Sequence, residues 1–375
     1  IHMQIQKEGF KHMVAKIRIG LVGASVRGTW SSRAHMPALK ASEEFELTAV
    51  CTTKPESAEA ARQTFGAKLA FHDFNKMVTS TEIDAVAVVV RVPSHFAPAK
   101  LAIEAGKHVY CEWPLGKTAK EAELLEALAK KKDIVTAVGL QARACPEIQY
   151  MKGLVEDGYL GEVLSVHCHV VRDGVLTRPS HRTWQRDIKL GANSLTILNG
   201  HTLDALQWVA GKVEKISAIV DTRVSNWLDT GSNEMLAVTA PDHIFIQGEL
   251  LNGAPMTSHT AVIPFAGSGY RMAIYGDKGT LVIKGDDSVQ LTKLSLFGAQ
   301  GNNTLNEIAV PDSLNLVSAE TPSGEPFNVG QMYSDFARSI NEKKQYVPSF
   351  STAVGLHHLI DKIQNASSKR CMISV

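Results

Sequence analysis

Cysteine is scarce in this 375-residue sequence, and the five present, at 51, 111, 145, 168 and 371, form no close pairs. An odd, scattered set argues against a disulfide framework and for a reducing compartment, with the cytoplasm as the default. Apolar runs long enough to cross a bilayer are missing, and no secretory signal is expected. An excess of one charge is missing too: 39 Lys and Arg stand against 38 Asp and Glu, a formal net charge of +1. Neither nucleic acid nor a membrane is therefore an expected partner. The short run Lys130-Lys131-Lys132 reads as the solvated end of a helix. No internal repeat, heptad array or low-complexity tract interrupts the chain. Ile1-His2-Met3 and His12-Met13 read partly as a cloning remnant, so the fold is read from Lys16 onward.

What is present suits two globular domains: 44% hydrophobic and 21% charged residues over a length well beyond one average core. The first third alternates strand and helix. Strands are expected at 17–22, 45–51, 85–90, 107–111 and 134–140, and helices at 34–41, 57–65, 97–105 and 119–131. The unbroken Ala/Val run at 85–90 suits a parallel strand covered on both faces. Strands separated by helices of this length imply βαβ units. Past Gln141 the texture changes to a helix at 146–157 and then longer β-like runs with Gly, Asn and Asp turns, mostly antiparallel. Two helices follow, at 329–340 and 352–366. The expected fold class is α/β. A Rossmann fold with a doubly wound parallel sheet spans 16–142. A second α/β domain with a large, mostly antiparallel open sheet spans 143–349, and a last helical segment spans 350–375.

The segment from Gly20 to Gly28 joins the first strand to the first helix. A dinucleotide site needs glycine there, to turn tightly and to let the backbone approach a pyrophosphate resting on helix N–H groups. Read from Gly23, the motif departs from G-x-G-x-x-G, because Ser25 holds the middle glycine's place. Gly23, Ser25, Val26 and Arg27 are the candidate contacts; the alternative is a plain glycine turn in a non-binding domain. The second strand ends in Cys51-Thr52-Thr53-Lys54, without the Asp or Glu that usually holds the ribose hydroxyls and repels a 2′-phosphate. Thr52, Thr53 and Lys54, with Arg27, favour NADP, with NAD the second choice. The alternative for Lys54 is a loop residue facing solvent.

Further segments fall into place together: Val92-Pro93-Ser94-His95, Glu104-Ala105-Gly106-Lys107-His108-Val109, Cys111-Glu112-Trp113-Pro114-Leu115, Gly139-Leu140-Gln141 and Gly200-His201-Thr202-Leu203-Asp204. With these the chain resembles the glucose–fructose oxidoreductase / inositol dehydrogenase / MocA (Gfo/Idh/MocA) family, essentially throughout from Lys16. The resemblance implies a second-domain sheet that holds substrate on one side and packs on another subunit, as a homodimer or homotetramer, on the other. It implies a final helix returning to the Rossmann domain. It also implies cofactor contacts at Val92, Pro93, His95, Glu112, Trp113 and Gln141, and catalysis at His201.

Active dehydrogenases of that family carry Glu-Lys-Pro, whose lysine moves a proton, and an Asp four residues before the histidine. Here Trp113 and Ile197 stand in those places. Neither titrates near neutral pH, so of the usual relay only His201 remains. Such departures resemble a subgroup that contains both oxidoreductases and an NADP-binding regulator of yeast galactose metabolism. Gly28-Thr29-Trp30, Ala34-His35-Met36-Pro37 and Pro241-Asp242-His243 add to that likeness.

Two functions are therefore expected to compete. One is an NADP(H)-dependent oxidoreductase acting on a sugar-like or other small hydroxyl or carbonyl compound. His201 would be its acid/base, with Trp113, Arg143, Arg182, Trp184 and Asp187 around the substrate. The other is a non-catalytic NADP-binding sensor that answers a small-molecule effector and acts through a protein partner. The bland alternatives are a structural histidine at 201 and a surface salt-bridge network for the Arg182–Asp187 cluster. No metal is expected: strand alternation puts Cys168 opposite His167 and His169, and the neighbours His357 and His358 do not face each other on a helix.

Overall fold

Short apolar strands, each followed by a helix, build the first sheet. The computed structural model describes residues 15–375, so the supposed cloning remnant lies outside the described residues. Here run β1 (Ile17–Val22), α1 (Met36–Ala41), β2 (Phe45–Cys51), α2 (Pro55–Phe65), β3 (Leu69–Phe71), α3 (Phe74–Val78), β4 (Ala85–Val88), α4 (Phe96–Glu104), β5 (His108–Glu112), α5 (Ala119–Lys132) and β6 (Thr136–Gly139). The strands are all parallel, in the order β3-β2-β1-β4-β5-β6. Both faces are covered, which is why β1 and β4 are apolar almost without alternation. Ile17, Ile19 and Leu21 enter one core, and Val22 enters the other.

The rest of the chain adds α6 (Pro146–Glu156), β7 (Val163–Arg172), β8 (Thr177–Arg178), α7 (Asn199–Ala210), β9 (Val213–Asp221), β10 (Asn226–Asp229), β11 (Glu234–Ala237), β12 (His243–Leu250), β13 (Pro255–Val262), β14 (Gly269–Gly276), β15 (Gly279–Gly285), β16 (Ser295–Gln300), β17 (Asn306–Glu307), α8 (Glu325–Glu342), α9 (Phe350–Lys369) and β18 (Ile373–Ser374). The large sheet runs β17-β16-β15-β14-β7-β13-β12-β9-β18, and only β7 and β13 pair in parallel. Helices α6, α7 and α9 pack on one face. The opposite face presents alternate side chains such as His167, Ile219, Phe245 and Gln247 to the exterior. Strands β8, β10 and β11 form a small separate sheet.

Packing assigns the last two helices differently from chain order. Helix α8 falls in the range expected for the second domain. Its Val329, Met332, Tyr333, Phe336 and Ala337 nevertheless complete the core under β1 and beside α1, all at most 1% exposed. Each large side chain of that set contributes roughly 1.5–3 kcal/mol by burial, so the apolar stripe decides where the helix docks. Helix α9 touches α5 and β6 on one side and β9 on the other, joining the two sheets through a shared core.

Candidate cofactor and substrate cleft

Strand order reverses between β1 and β4, and open α/β sheets bind ligands at such a switch point, beyond the carboxyl ends of the strands. Gly23 follows β1 there with φ +90°, and a Cβ on it would lie 2.1 Å from the Val89 carbonyl oxygen. No other residue fits. The turn is tied internally: Ser31 Oγ donates to the Gly23 carbonyl (2.7 Å) and accepts from Ser25 N–H (3.3 Å). Ser25 Oγ accepts from Arg27 N–H (3.2 Å), so the serine in the middle glycine's place works within the turn. Val26 and Arg27 are exposed. At the end of β2, the Thr52 hydroxyl is engaged with Ser57 Oγ (2.6 Å) and the Lys54 carbonyl (3.1 Å). Thr53 and Lys54 are exposed at the start of α2. A turn with no room for a side chain, at the switch point and with exposed cations beside it, fits a dinucleotide.

The wall beyond this turn comes from the ends of β4, β5 and β6. Val92 and Pro93 lie in a 3₁₀ turn after β4, Val92 buried and Pro93 half-buried. His95, expected at the cofactor, is instead enclosed. Its Nδ1 lies 2.8 Å from the Pro114 carbonyl and its Nε2 3.0 Å from the Val90 carbonyl. Burial lowers its pKa despite those two acceptors. The ring ties two loops together behind the site, and no polar atom is left over for a ligand.

Glu112 ends β5 and accepts from Gln141 Nε2 (3.2 Å). It also lies 3.1 Å from His35 Nε2, and His35 Nδ1 is 2.7 Å from the Tyr333 hydroxyl. This string joins β6, β5, the turn before α1, and α8. The Gln141 Oε1 atom is buried and has no partner among the described residues. Trp113 is buried, donates from Nε1 to the Thr196 carbonyl (2.8 Å) and packs on His357 with ring centroids 4.7 Å apart. A Cβ on Gly200 would sit 2.6 Å from Trp113 Nε1, so glycine in α7 makes room for the indole. The lysine's place is thus filled by a wall.

His201 sits in the first turn of α7, next to Gly200. It is buried, and its Nδ1 has no partner among the described residues. Burial pushes its pKa down to about 4, and the Glu112 charge offsets only part of that. At neutral pH it is a neutral imidazole with an unengaged nitrogen.

The expected substrate residues divide. Arg143 is committed: its fork donates to Asp204 from Nε (2.9 Å) and Nη2 (2.6 Å), and its guanidinium lies 4.5 Å over Trp208. It anchors α7, and so His201, to the loop after β6. Asp187 accepts from Lys189 N–H (2.9 Å), closing a 3₁₀ turn. Arg182 and Trp184 lie in the 3₁₀ stretch Ser180–Arg186, which docks on the loop after β4. There Arg91 donates to the His181 carbonyl (3.0 Å) and lies 5.5 Å from the Trp184 ring. Among the described residues no ion pair joins Arg182, Arg186 and Asp187, so the cluster is not a salt-bridge network. Sequence reasoning did not assign His35, Tyr333, Asp204 and His357 to the site. Their roles rest on partners remote in sequence; the segments Ala34-His35-Met36-Pro37 and Gly200–Asp204 and the pair His357-His358 stood out beforehand, but not these contacts.

A cavity of about 690 Å³ lies elsewhere, on the open face of the large sheet, lined by His167, His169, Phe245, Gln247 and His259 among others. Cys168 is buried under the opposite face, as strand alternation requires. No helix among the described residues is long and apolar enough to cross a membrane.

Fold and cleft together define an α/β protein with a six-stranded parallel Rossmann-like sheet and a second, large mixed sheet. Residues 17–140 match the model of the Gfo/Idh/MocA oxidoreductase family, NAD-binding Rossmann fold, and residues 146–285 match that of the Gal80p C-terminal domain. The chain is 30% identical to the dehydrogenase aclE of Aspergillus oryzae, over 73% of this chain and 78% of that one. It is 28% identical to the galactose/lactose metabolism regulatory protein GAL80 of Saccharomyces cerevisiae, over 77% and 72%. A solved super-repressor mutant of Gal80p from that yeast superposes with a TM-score of 0.86, covering 96% of this chain and 98% of that one at 23% identity. Levoglucosan dehydrogenase in complex with NADH and levoglucosan gives a TM-score of 0.83, covering 96% and 100% at 20% identity. The chain belongs to the Gfo/Idh/MocA oxidoreductase family, whose relatives here include dehydrogenases and galactose regulators alike.

Proposed function

We propose that the protein is an NADP(H)-dependent oxidoreductase acting on a sugar-like or other small hydroxyl or carbonyl compound. The observation that carries this reading is His201, a buried neutral imidazole with an unengaged nitrogen, within the field of Glu112. A nicotinamide held at the switch point supplies a hydride acceptor or donor. His201 takes the hydroxyl proton as the carbonyl forms; Trp113 and His357 keep water from that side. A base with a pKa of about 4 is weak at neutral pH. Exposed Arg27, Thr53 and Lys54, with no carboxylate in the Cys51–Lys54 segment, support NADP over NAD. Exposed Phe245 and Ile219 beside the open-face cavity support a homodimer or homotetramer through that face. Four buried thiols and one exposed, none paired, support a cytoplasmic location.

The test is nicotinamide absorbance across sugars, polyols and small aldehydes with both cofactors. Turnover is expected, and His201→Ala is expected to lower it at least about 100-fold with cofactor affinity nearly unchanged. Unaltered turnover in that variant would remove His201 as the acid/base. One observation favours the second reading, a non-catalytic sensor: Trp113 is buried where the family's lysine works, with its N–H committed. Tight cofactor binding without turnover on any substrate supports that reading instead.

A further inference from the structure

The segment that leads from β7 to α7 carries arginines out of proportion to its acids. Arg172 ends β7 and is paired with Asp287, Nε to Oδ1 2.7 Å. Arg33, just after the glycine turn, is paired with Glu325 at 3.2 Å. Arg178 and Arg182 have no carboxylate partner among the described residues. Arg178 is held in place: its guanidinium lies 4.5 Å over the Trp227 ring, and its Nη1 donates to the carbonyls of Gly174 and Thr177. Arg182 stands one turn further on, in the 3₁₀ stretch that Arg91 fastens to the loop after β4. The stretch is therefore fastened beside the loop that leaves the carboxyl end of β4. Burial first, and then the charges of Arg172 and Arg33, lower the pKa of Arg182.

This arrangement is costly as it stands. Burial first, and then the charges of Arg182 and Arg172, push the Arg178 guanidinium down to about 10. Asp287 and Glu325 offset Arg172 and Arg33, whereas the like charges of Arg178 and Arg182 have no such partner, so an anion bound to them would stabilise the fold. A guanidinium presents a flat fork of donors that matches the oxygens of a phosphate or carboxylate. Trp227 fixes the plane of one such fork before any ligand arrives.

We propose that Arg178 and Arg182, near Arg172 and Arg33, form an oxyanion-binding site beside the cleft. It takes a phosphoryl or carboxylate group, carried either by the substrate or as the diphosphate of the cofactor. The proposal rests on the cleft being the ligand site, as in the reading above, but not on turnover.

Inorganic phosphate is the probe, titrated by calorimetry into the whole chain with and without saturating NADP⁺. Saturable binding is expected, weakened about tenfold or more in both Arg182→Gln and Arg178→Gln and partly retained in Arg182→Lys. Arg182 is exposed and unpaired, so its replacement leaves the fold intact. Phosphate that still binds with NADP⁺ present assigns the site to an anionic group on the substrate. Phosphate displaced by NADP⁺ assigns it to the cofactor's diphosphate. No saturable binding, or equal affinity in the wild type and both glutamine variants, overturns the proposal. A protein that binds phosphate this way yet oxidises nothing would lose the enzymatic reading and keep the site.

Discussion

Two glycines of one turn separate strain from collision. Gly23 and Gly28 both have positive φ, but a side chain at Gly28 meets nothing within 4 Å, whereas one at Gly23 meets a carbonyl. Gly28→Ala is expected to cost about 1 kcal/mol of unfolding free energy by denaturant titration. Gly23→Ala is expected to cost more than about 2 kcal/mol and to abolish cofactor binding, because the backbone of the Val89 segment must move. The buried histidines set a second expectation. His201 and His357 have folded-state pKa values of about 4, held down mainly by burial, against an ordinary value of 6.5. Below about pH 6.5 the unfolded chain binds protons that the folded chain refuses. Stability is therefore flat above that pH and falls as pH drops from 6.5 towards 4, by at most about 3 kcal/mol for each group. His357→Gln should roughly halve that acid slope in melts taken across the window; an unchanged slope would show that the loss lies with carboxylates instead.

Among the elements, the junction of β2 and α2 is where we propose that NADP is told from NAD. Lys54→Asp restores a carboxylate near the end of β2. It should weaken NADP binding about tenfold or more while leaving NAD binding equal or better; parallel losses for both would sink the 2′-phosphate argument. The parallel strands were legible in the sequence because strands buried on both faces must be apolar throughout. Strand β3, three half-buried residues at the sheet edge, and the five-residue α3 left no such signature. The allegiance of α8 was not legible either, since an apolar stripe announces a helix but not which sheet it covers. The site divides the same way. Gly23, Trp113 and His201 stand out by motif position. The contact between His35 and Tyr333 spans 298 residues of sequence, and no local pattern encodes it. The pairing of Arg143 was not legible, because the sequence does not show that Asp204 closes on its fork.

Across the whole molecule, the open face of the large sheet is the surface we propose a second copy of the chain to cover. Phe245, stacked on His259 at 3.9 Å, lines the cavity on that face. Phe245→Lys is expected to halve the sedimenting mass or more without altering the melting temperature of the isolated chain; an unchanged mass would place the interface elsewhere. Helix α8 has a different consequence, in time. Ribosomes deliver the chain from its beginning, so β1 to β6 are made long before Val329 and Phe336 exist to cover β1. The nascent nucleotide-binding sheet must wait, one flank uncovered, through the synthesis of nearly two hundred residues. During that interval it is the part of the chain with most need of a chaperone.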